Sequence, residues 1–230
     1  MRTALLLVLL ALGLGAAACG GGDDDGDEPA AEATTTSAAA TTTAAGDGAC
    51  VTVEQPAPRA DGGATAPEDA LAADTTYRLV VETNCGSFTI TLDQTSAPQT
   101  TASLVALARD GFFDGTSFHR VVPGFVIQGG DPTGTGTGGP GYQTVDPPPQ
   151  DTAYTRGVVA MAKTGAEPPG TSGSQFFVVT GPDAGLPPDY AVVGTVTAGL
   201  DTVEAIDGLG TGDGPPSMPV VVEKVTVEES

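Results

Sequence analysis

Residues 118–131 concentrate the side chains that could do chemistry in this chain, and they read Phe-His-Arg-Val-Val-Pro-Gly-Phe-Val-Ile-Gln-Gly-Gly-Asp. His119 is the only histidine in the sequence, and Arg120 is one of eight basic residues. Arg120, Phe125 and Gln128 supply a permanently charged donor, an aromatic surface and an amide. This combination is typical of a peptide-binding face, and it lacks the paired nucleophile and base of a hydrolytic site.

Two short strands must position these side chains. Residues 121–122 and 125–127 are apolar and β-prone, and they flank Pro123-Gly124, which is a turn or bulge signal. We expect the strands to meet at this turn. The arginine, the aromatic ring and the amide would then lie on one concave surface.

These residues resemble the core signature of the cyclophilin-type peptidyl-prolyl cis-trans isomerases. The resemblance continues through Gly-Thr-Gly-Gly at 136–139, Val-Val-Ala-Met-Ala-Lys at 158–163 and Ser-Gln-Phe-Phe-Val at 174–178. It extends over residues 76–228. It implies an isomerase domain at 76–230 that rotates X-Pro bonds in protein substrates and needs neither a cofactor nor a metal ion.

The resemblance also implies roles for single residues. Arg120 is implied to be catalytic, because a guanidinium can favour the twisted amide over the planar one. His119 is implied to border the substrate and to be more structural than catalytic. The other implied substrate-binding residues are Phe125, Val126, Gln128, Ala162, Lys163, Gln175, Phe177, Leu186 and Tyr190. The four apolar side chains of Phe125, Val126, Phe177 and Leu186 are implied to line a proline pocket.

Three positions depart from the usual family pattern. Val126 stands where Met is frequent, Gly185 where many members carry Trp, and Tyr190 where His is common. The residues also have a purely structural interpretation. The phenylalanines could be core residues, and Arg120 could form a surface ion pair, since the chain has 29 acidic residues.

The rest of the pattern predicts short strands and two helices. Residues 77–82 and 87–92 indicate a hairpin, residues 98–109 a helix with proline near its start, and residues 200–206 a second helix. Strands and helices do not alternate regularly, which favours a closed antiparallel barrel. The predicted fold class is therefore all-β dominated, and the resemblance implies a closed eight-stranded β-barrel capped by two α-helices.

A glycine-rich segment follows the signature. Gly134, Gly136 and Gly139 match GxGxxG by letter, but Pro140 and the prolines at 147–149 follow. A dinucleotide site needs a helix at this point, and no helix can begin there. We predict a loop that borders a peptide groove.

Charge narrows the set of partners. The formal net charge is −21 and the sequence pI is near 4.1. Phosphate binding needs a basic surface stripe, so nucleic acid is not an expected partner. The expected partners are proline-containing polypeptides, and the protein is predicted to be monomeric.

The N-terminal segment predicts export. Residues 1–18 combine Arg2, a short apolar run and small residues before Cys19, as in a bacterial lipoprotein signal. We expect a lipid on Cys19 and an anchor on the outer face of the bacterial cytoplasmic membrane, or secretion if Cys19 is not lipidated. Residues 19–49 are acidic and Thr-rich, with too little apolar surface to fold, and are predicted to form a disordered tether.

Cys50 and Cys85 are the remaining cysteines. In an exported protein such a pair is usually a disulfide, which would pin an extended segment at 50–75 to the domain. The alternative is two free thiols.

Three functions remain compatible with the sequence: the isomerase, a non-catalytic proline-peptide scaffold or chaperone module, and a solute-binding lipoprotein. A single barrel rather than two lobes disfavours the last.

Overall fold

The computed structural model describes residues 49–230. The predicted signal peptide, Cys19 and all but the last residue of the predicted tether lie outside the described residues. Two helices are described, α1 at Pro98–Arg109 and α2 at Leu200–Asp207. The strands are β1 Tyr77–Thr83, β2 Gly86–Leu92, β3 Arg120–Val122, β4 Val126–Gly129, β5 Thr144–Val145, β6 Val158–Met161, β7 Thr171–Ser172, β8 Phe176–Val179, β9 Val192–Ala198 and β10 Val222–Glu229.

Eight strands form one curled antiparallel sheet in the order β10-β1-β2-β9-β6-β8-β4-β3, and β5 pairs with β7 separately. The sheet is open, so the prediction of a closed barrel is not borne out. β3 and β10 lie at its two edges, and β3 has only three residues because Pro123-Gly124 ends it. The chain before β3 meets the chain before β10 at an isolated bridge between Ser117 and Val221.

The two faces of the sheet have different roles, because successive side chains of a strand point to opposite faces. Val121 on β3 pairs with Ile127 on β4, and Ile127 pairs with Val178 on β8. All three are buried in the interior core. Burying a side chain of this size stabilises the fold by about 1.5–3 kcal/mol. The residues adjacent to them in sequence therefore face outward.

The two predicted helices are confirmed and pack against the sheet. α1 has Pro98 at its start, where the missing N–H costs nothing, and it buries Leu104, Val105 and Ala108. α2 buries Val203 and Ile206. Among residues 49–230, no helix is long and apolar enough to cross a bilayer.

A disulfide joins Cys50 to Cys85, at the turn between β1 and β2. Beside it, the buried Asn84 side chain donates hydrogen bonds to the carbonyl oxygens of Val51, at 2.6 Å, and Pro219, at 3.1 Å. One amide therefore links the N-terminal segment, the first hairpin and the approach to β10.

Residues 50–64, here called the strap, continue across the domain without helix or strand. The backbone N–H groups of Gly62 and Ala64 donate to the carbonyl oxygens of Gly139 and Pro140, each at 3.0 Å. The strap thus holds the end of the glycine-rich loop.

Breaking the disulfide should lower the free energy of unfolding by roughly 3–4 kcal/mol, because the bond restricts the unfolded chain across a sequence separation of 35. Urea unfolding of oxidised and dithiothreitol-reduced protein measures the difference. The Cys50→Ala/Cys85→Ala variant is the control, and its midpoint should not respond to the reductant. Equal midpoints for the oxidised and the reduced protein would contradict the prediction.

Candidate active site

Four residues lie in one row across the outer face of the sheet. Arg120 on β3 is opposite Gln128 on β4, Gln128 is opposite Phe177 on β8, and Phe177 is opposite Ala160 on β6. Directly opposite side chains point to the same face and lie within contact distance. The strand register alone therefore brings a cationic donor, an amide, an aromatic ring and a methyl group side by side.

Most of this row lines a cleft of about 240 Å³. The cleft is smaller than the roughly 300–1,000 Å³ typical of sites for drug-sized ligands, so its size suits one small ring. Its lining residues are Arg120, Phe125, Val126, Gln128, Lys163, Phe177, Leu186 and Tyr190. All eight were predicted from the sequence and its family resemblance, and the structure brings them together.

A buried tyrosine fixes the wall of the cleft. The Tyr154 hydroxyl donates to the Tyr190 carbonyl at 2.8 Å and accepts from the Tyr190 N–H at 3.0 Å. Burial raises the pKa of Tyr154, so the hydroxyl stays neutral and can donate. The Tyr190 ring then meets Phe177 edge to face, with ring centres 5.6 Å apart. The aromatic wall is therefore rigid.

The Arg120 guanidinium lies at the mouth of the cleft. Its Nη1 donates to Gln128 Oε1 at 3.2 Å, and its central carbon is 5.9 Å from the centre of the Phe125 ring. On its other side, Nε and Nη2 donate to the two carboxylate oxygens of Asp213 at 2.5 and 3.1 Å. The hydrogen bonds from Arg120, and then its charge, lower the pKa of Asp213. Arg120 is thus both a cleft residue and an ion-pair partner.

A second compartment of about 610 Å³ adjoins the first, and Gln128 and Lys163 line both. Gln175 and Ala162 line only the second compartment. Gln128 Nε2 donates to Gln175 Oε1 at 3.1 Å, and Gln175 Nε2 donates to the Gly138 carbonyl at 2.9 Å. A line of amides therefore runs from the arginine to the glycine-rich loop.

Lys163 is held where the compartments meet. Its Nζ is 5.4 Å from the centre of the Tyr190 ring, and it donates to the Glu167 carbonyl at 3.0 Å. The Glu167 carboxylate accepts from the Thr164 N–H, and this hydrogen bond is the main reason that the pKa of Glu167 is lowered. The Lys163 ammonium group is thus held between the Tyr190 ring and the backbone of the loop that follows β6.

The glycine-rich loop wraps around a carboxylate of the protein itself. The buried Asp131 accepts from the N–H groups of Gly136, at 2.6 Å, Gly138, at 3.2 Å, and Thr133, at 2.7 Å. Burial raises the pKa of Asp131, but the hydrogen bonds from the Thr133 hydroxyl and from these three N–H groups outweigh it and lower the pKa. A Cβ at Gly138 would lie 2.3 Å from Asp131 Oδ1, so only glycine fits there. Asp131 occupies N–H groups that a bound phosphate would need.

The structure does not place His119 in the cleft. His119 lines a separate cavity of about 400 Å³ whose other walls include strap residues 55–58. Within the described part of the chain, both of its ring nitrogens are buried without a hydrogen-bond partner. Burial lowers the pKa of His119, and this effect outweighs the opposing attraction of Asp131.

Two residues of the site, Tyr154 and Asp213, were not predicted from the sequence. Tyr154 is fully buried behind the cleft, although its surrounding sequence is polar. Asp213 lies in a Gly/Pro-rich loop, and nothing in its neighbourhood marks it. Gly185, which stands where many family members carry Trp, leaves open space beside the cleft. Its φ is 61°, and nothing lies within 4 Å of a Cβ built there.

The arrangement can enclose an apolar ring and offer a charged hydrogen-bond donor beside it. Across residues 49–230, no three His, Cys, Asp or Glu side chains are grouped to hold a metal ion.

The fold and the cleft define a class of protein that comparison with known families identifies. Residues 78–227 match the family model described as cyclophilin type peptidyl-prolyl cis-trans isomerase/CLD. The chain belongs to this family, as its motifs predicted, and is a peptidyl-prolyl cis-trans isomerase.

Named relatives give the same class. Peptidyl-prolyl cis-trans isomerase-like 1 of Gibberella zeae is 38% identical over 162 residues, which cover 67% of this chain and 97% of the relative. Peptidyl-prolyl cis-trans isomerase A of Mycobacterium tuberculosis is 39% identical over 171 residues, with 66% and 92% covered. A crystal structure of a cyclophilin-type isomerase from Cryptosporidium parvum has a TM-score of 0.61 at 30% identity, covering 66% of this chain and 98% of that one. The same protein was also solved in the presence of the dipeptide Ala-Pro, with a TM-score of 0.60, 29% identity and the same coverage.

The partly buried His119 should make the stability of the fold depend on pH. Since its pKa is lower in the folded state than in the unfolded state, the unfolded chain binds more protons below about pH 6.5. Stability should therefore fall on acidification from pH 7 towards pH 5, by at most about 1.4 kcal/mol per pH unit.

His119→Gln is the test, because no other histidine titrates in this range. The melting temperature of the wild type should fall between pH 7 and pH 5, and that of the variant should change much less. Parallel curves for the two proteins would show that His119 is not the titrating group.

Proposed function

We propose that this protein speeds the cis–trans rotation of X-Pro bonds in exported polypeptides, assists their folding, and uses Arg120 as its catalytic residue. The observation that carries the proposal is the position of Arg120. Its guanidinium stands at the mouth of an apolar cleft that is large enough for one small ring.

The chemistry requires no nucleophile. Amide resonance sets a rotational barrier of about 18–20 kcal/mol. In the twisted state the prolyl nitrogen loses its conjugation, and its lone pair becomes a hydrogen-bond acceptor. A guanidinium N–H aimed at that nitrogen interacts more strongly with the twisted amide than with either planar form. Such differential binding is what lowers a barrier.

The apolar cleft is proposed to hold the proline ring. Phe125, Val126, Phe177, Leu186 and Tyr190 supply its aromatic and aliphatic walls. Burying the ring there contributes about 25 cal/mol per Å² of apolar surface removed from water. The structure of the Cryptosporidium parvum relative in the presence of Ala-Pro supports a proline-containing ligand.

The second compartment is proposed to receive the residues that precede the proline. Ala162 and Lys163 directly follow β6 and both line this compartment, so an extended peptide can lie against them. Gln128 and Gln175 provide amides that can bond to the peptide backbone. Gln128 has a further role, because its Oε1 accepts from Arg120.

Arg120→Ala should reduce kcat/KM for an Ala-Pro peptide about 10²–10³-fold, the loss typical when one transition-state donor is removed. A protease-coupled assay measures the rate. Circular dichroism and thermal unfolding should show an unchanged fold. Arg156→Ala is the matched control, because Arg156 is a half-exposed arginine paired with Glu204 and does not line the cleft. Its rate should equal that of the wild type.

The alternative is a non-catalytic proline-peptide scaffold or chaperone module that keeps the cleft. It predicts equal rates for the wild type and Arg120→Ala, together with retained peptide binding. That result would replace the enzymatic proposal.

We further propose that the protein acts as a monomer, lipid-anchored through Cys19 to the outer face of the bacterial cytoplasmic membrane. Arg2, the apolar run and the small residues before Cys19 support export. The Cys50–Cys85 disulfide also suits an oxidising compartment.

Cys19→Ser should move the protein from the membrane fraction to soluble fractions, because it removes the thiol that would carry the lipid. Detergent phase partitioning of the wild type and the variant, expressed in a bacterium with lipoprotein export, measures the change. A wild-type protein that is already found in the medium would instead support plain secretion.

A further inference from the structure

We propose that Asp213 is a positioning residue that holds the Arg120 guanidinium in its productive orientation before substrate binds. This inference rests on the proposed catalytic role of Arg120. It adds a residue, carried by the loop between α2 and β10, to the machinery of the cleft.

The contact between the two side chains is bidentate. Arg120 Nε donates to Asp213 Oδ1 at 2.5 Å, and Nη2 donates to Oδ2 at 3.1 Å. A fork of this kind fixes the plane of a guanidinium as well as its position. The remaining nitrogen, Nη1, donates to Gln128 Oε1 inside the cleft. Arg120 is therefore held along one edge from outside the cleft and by one nitrogen from inside it.

The backbone sets this contact. The N–H of Val121, next to Arg120, donates to the carbonyl of Gly214, next to Asp213, at 2.8 Å. The loop closes on itself through the Ser217 N–H, which donates to the Leu209 carbonyl at 2.8 Å. The carboxylate thus faces the guanidinium because the main chains beneath both side chains are joined.

The beginning of the loop is docked as well. The carboxylate of Asp207, at the end of α2, accepts from the Gly124 N–H at about 3.0 Å and from the Thr180 hydroxyl at 2.7 Å. Gly210 packs so closely on Pro123 that a Cβ would lie 2.6 Å from its ring. The loop is therefore fixed against the β3–β4 hairpin at several points and can act as a rigid support.

The solvent exposure of the Arg120–Asp213 pair favours a positioning role over a role in fold stability. The Asp213 side chain is 68% exposed, and the Arg120 side chain is 30% exposed. Ion pairs at such exposed positions contribute little to fold stability. A free arginine side chain, however, has many rotamers, and catalysis needs one of them. The main effect of the pair is therefore expected on turnover.

A competing interpretation makes the opposite prediction. If the carboxylate only occupied donors that substrate needs, removing it would free the guanidinium and raise the rate. A positioning role for Asp213 predicts a lower rate instead, because the Arg120 side chain would then have to lose its rotamer freedom in every catalytic cycle.

Asp213→Ala and Asp213→Asn are the test variants, measured in the protease-coupled assay with an Ala-Pro peptide. Asp213→Ala should lower kcat roughly tenfold with KM unchanged, the order expected when rotamer freedom of an arginine must be frozen in the transition state. Asp213→Asn keeps one acceptor and should fall between Asp213→Ala and the wild type. Both should unfold at the wild-type temperature.

Glu204→Gln is the matched control. It neutralises the carboxylate of another exposed arginine pair, Arg156–Glu204, which does not line the cleft. Its kcat and KM should equal those of the wild type. A loss similar to that of Asp213→Ala would show that general surface charge, rather than positioning, sets the rate.

The Arg120→Ala background tests whether Asp213 acts through Arg120. Adding Asp213→Ala to Arg120→Ala should leave the residual kcat/KM unchanged, whereas a merely structural role would lower it further. An unchanged or faster Asp213→Ala enzyme, or one in which only KM rises, would overturn the inference. If Arg120→Ala itself retains the wild-type rate, the proposed function fails first, so the two failures are distinguishable.

Discussion

The in-register pairing of β3, β4 and β8 is the constraint on which the rest of the molecule depends. The same three strands place Val121, Ile127 and Val178 in the core and turn Arg120 and Gln128 to the other face. A shift of one residue would exchange these sets, burying a guanidinium and exposing three aliphatic side chains. The energy of core burial therefore also fixes the arrangement of the site.

The outer face is unusual in being apolar as well. Val126 and Phe177 are almost fully buried there, although they do not belong to the interior core. Their cover comes from loops and from the Tyr154–Tyr190 pair, which leave a cleft just large enough for one ring. Loops without regular structure can do this because backbone hydrogen bonds, the buried Asp131 side chain and the partly buried Asp207 side chain hold them.

The sequence predicted the parts of this arrangement that depend on local pattern. The turn at Pro123-Gly124 and the α1 helix follow from local pattern, and the eight residues that line the first cleft were implied by the family resemblance. The open edge between β3 and β10 did not follow, because the pairing of edge strands depends on contacts between distant segments. Asp213 was missed for the same reason: only the docking of its loop on β3 brings it to Arg120. His119 was predicted to border the substrate, whereas its ring lines a different cavity.

The strap changes where the autonomous unit of this protein begins. The family match starts at residue 78, yet Asn84, the glycine-rich loop and the cavity beside His119 all use partners between residues 50 and 64. A recombinant fragment trimmed to the matched region would leave a buried amide short of an acceptor and the Gly139–Pro140 carbonyls short of donors. A fragment of this enzyme should therefore begin before Cys50, because the segment that precedes the family match in sequence supports the domain in the fold.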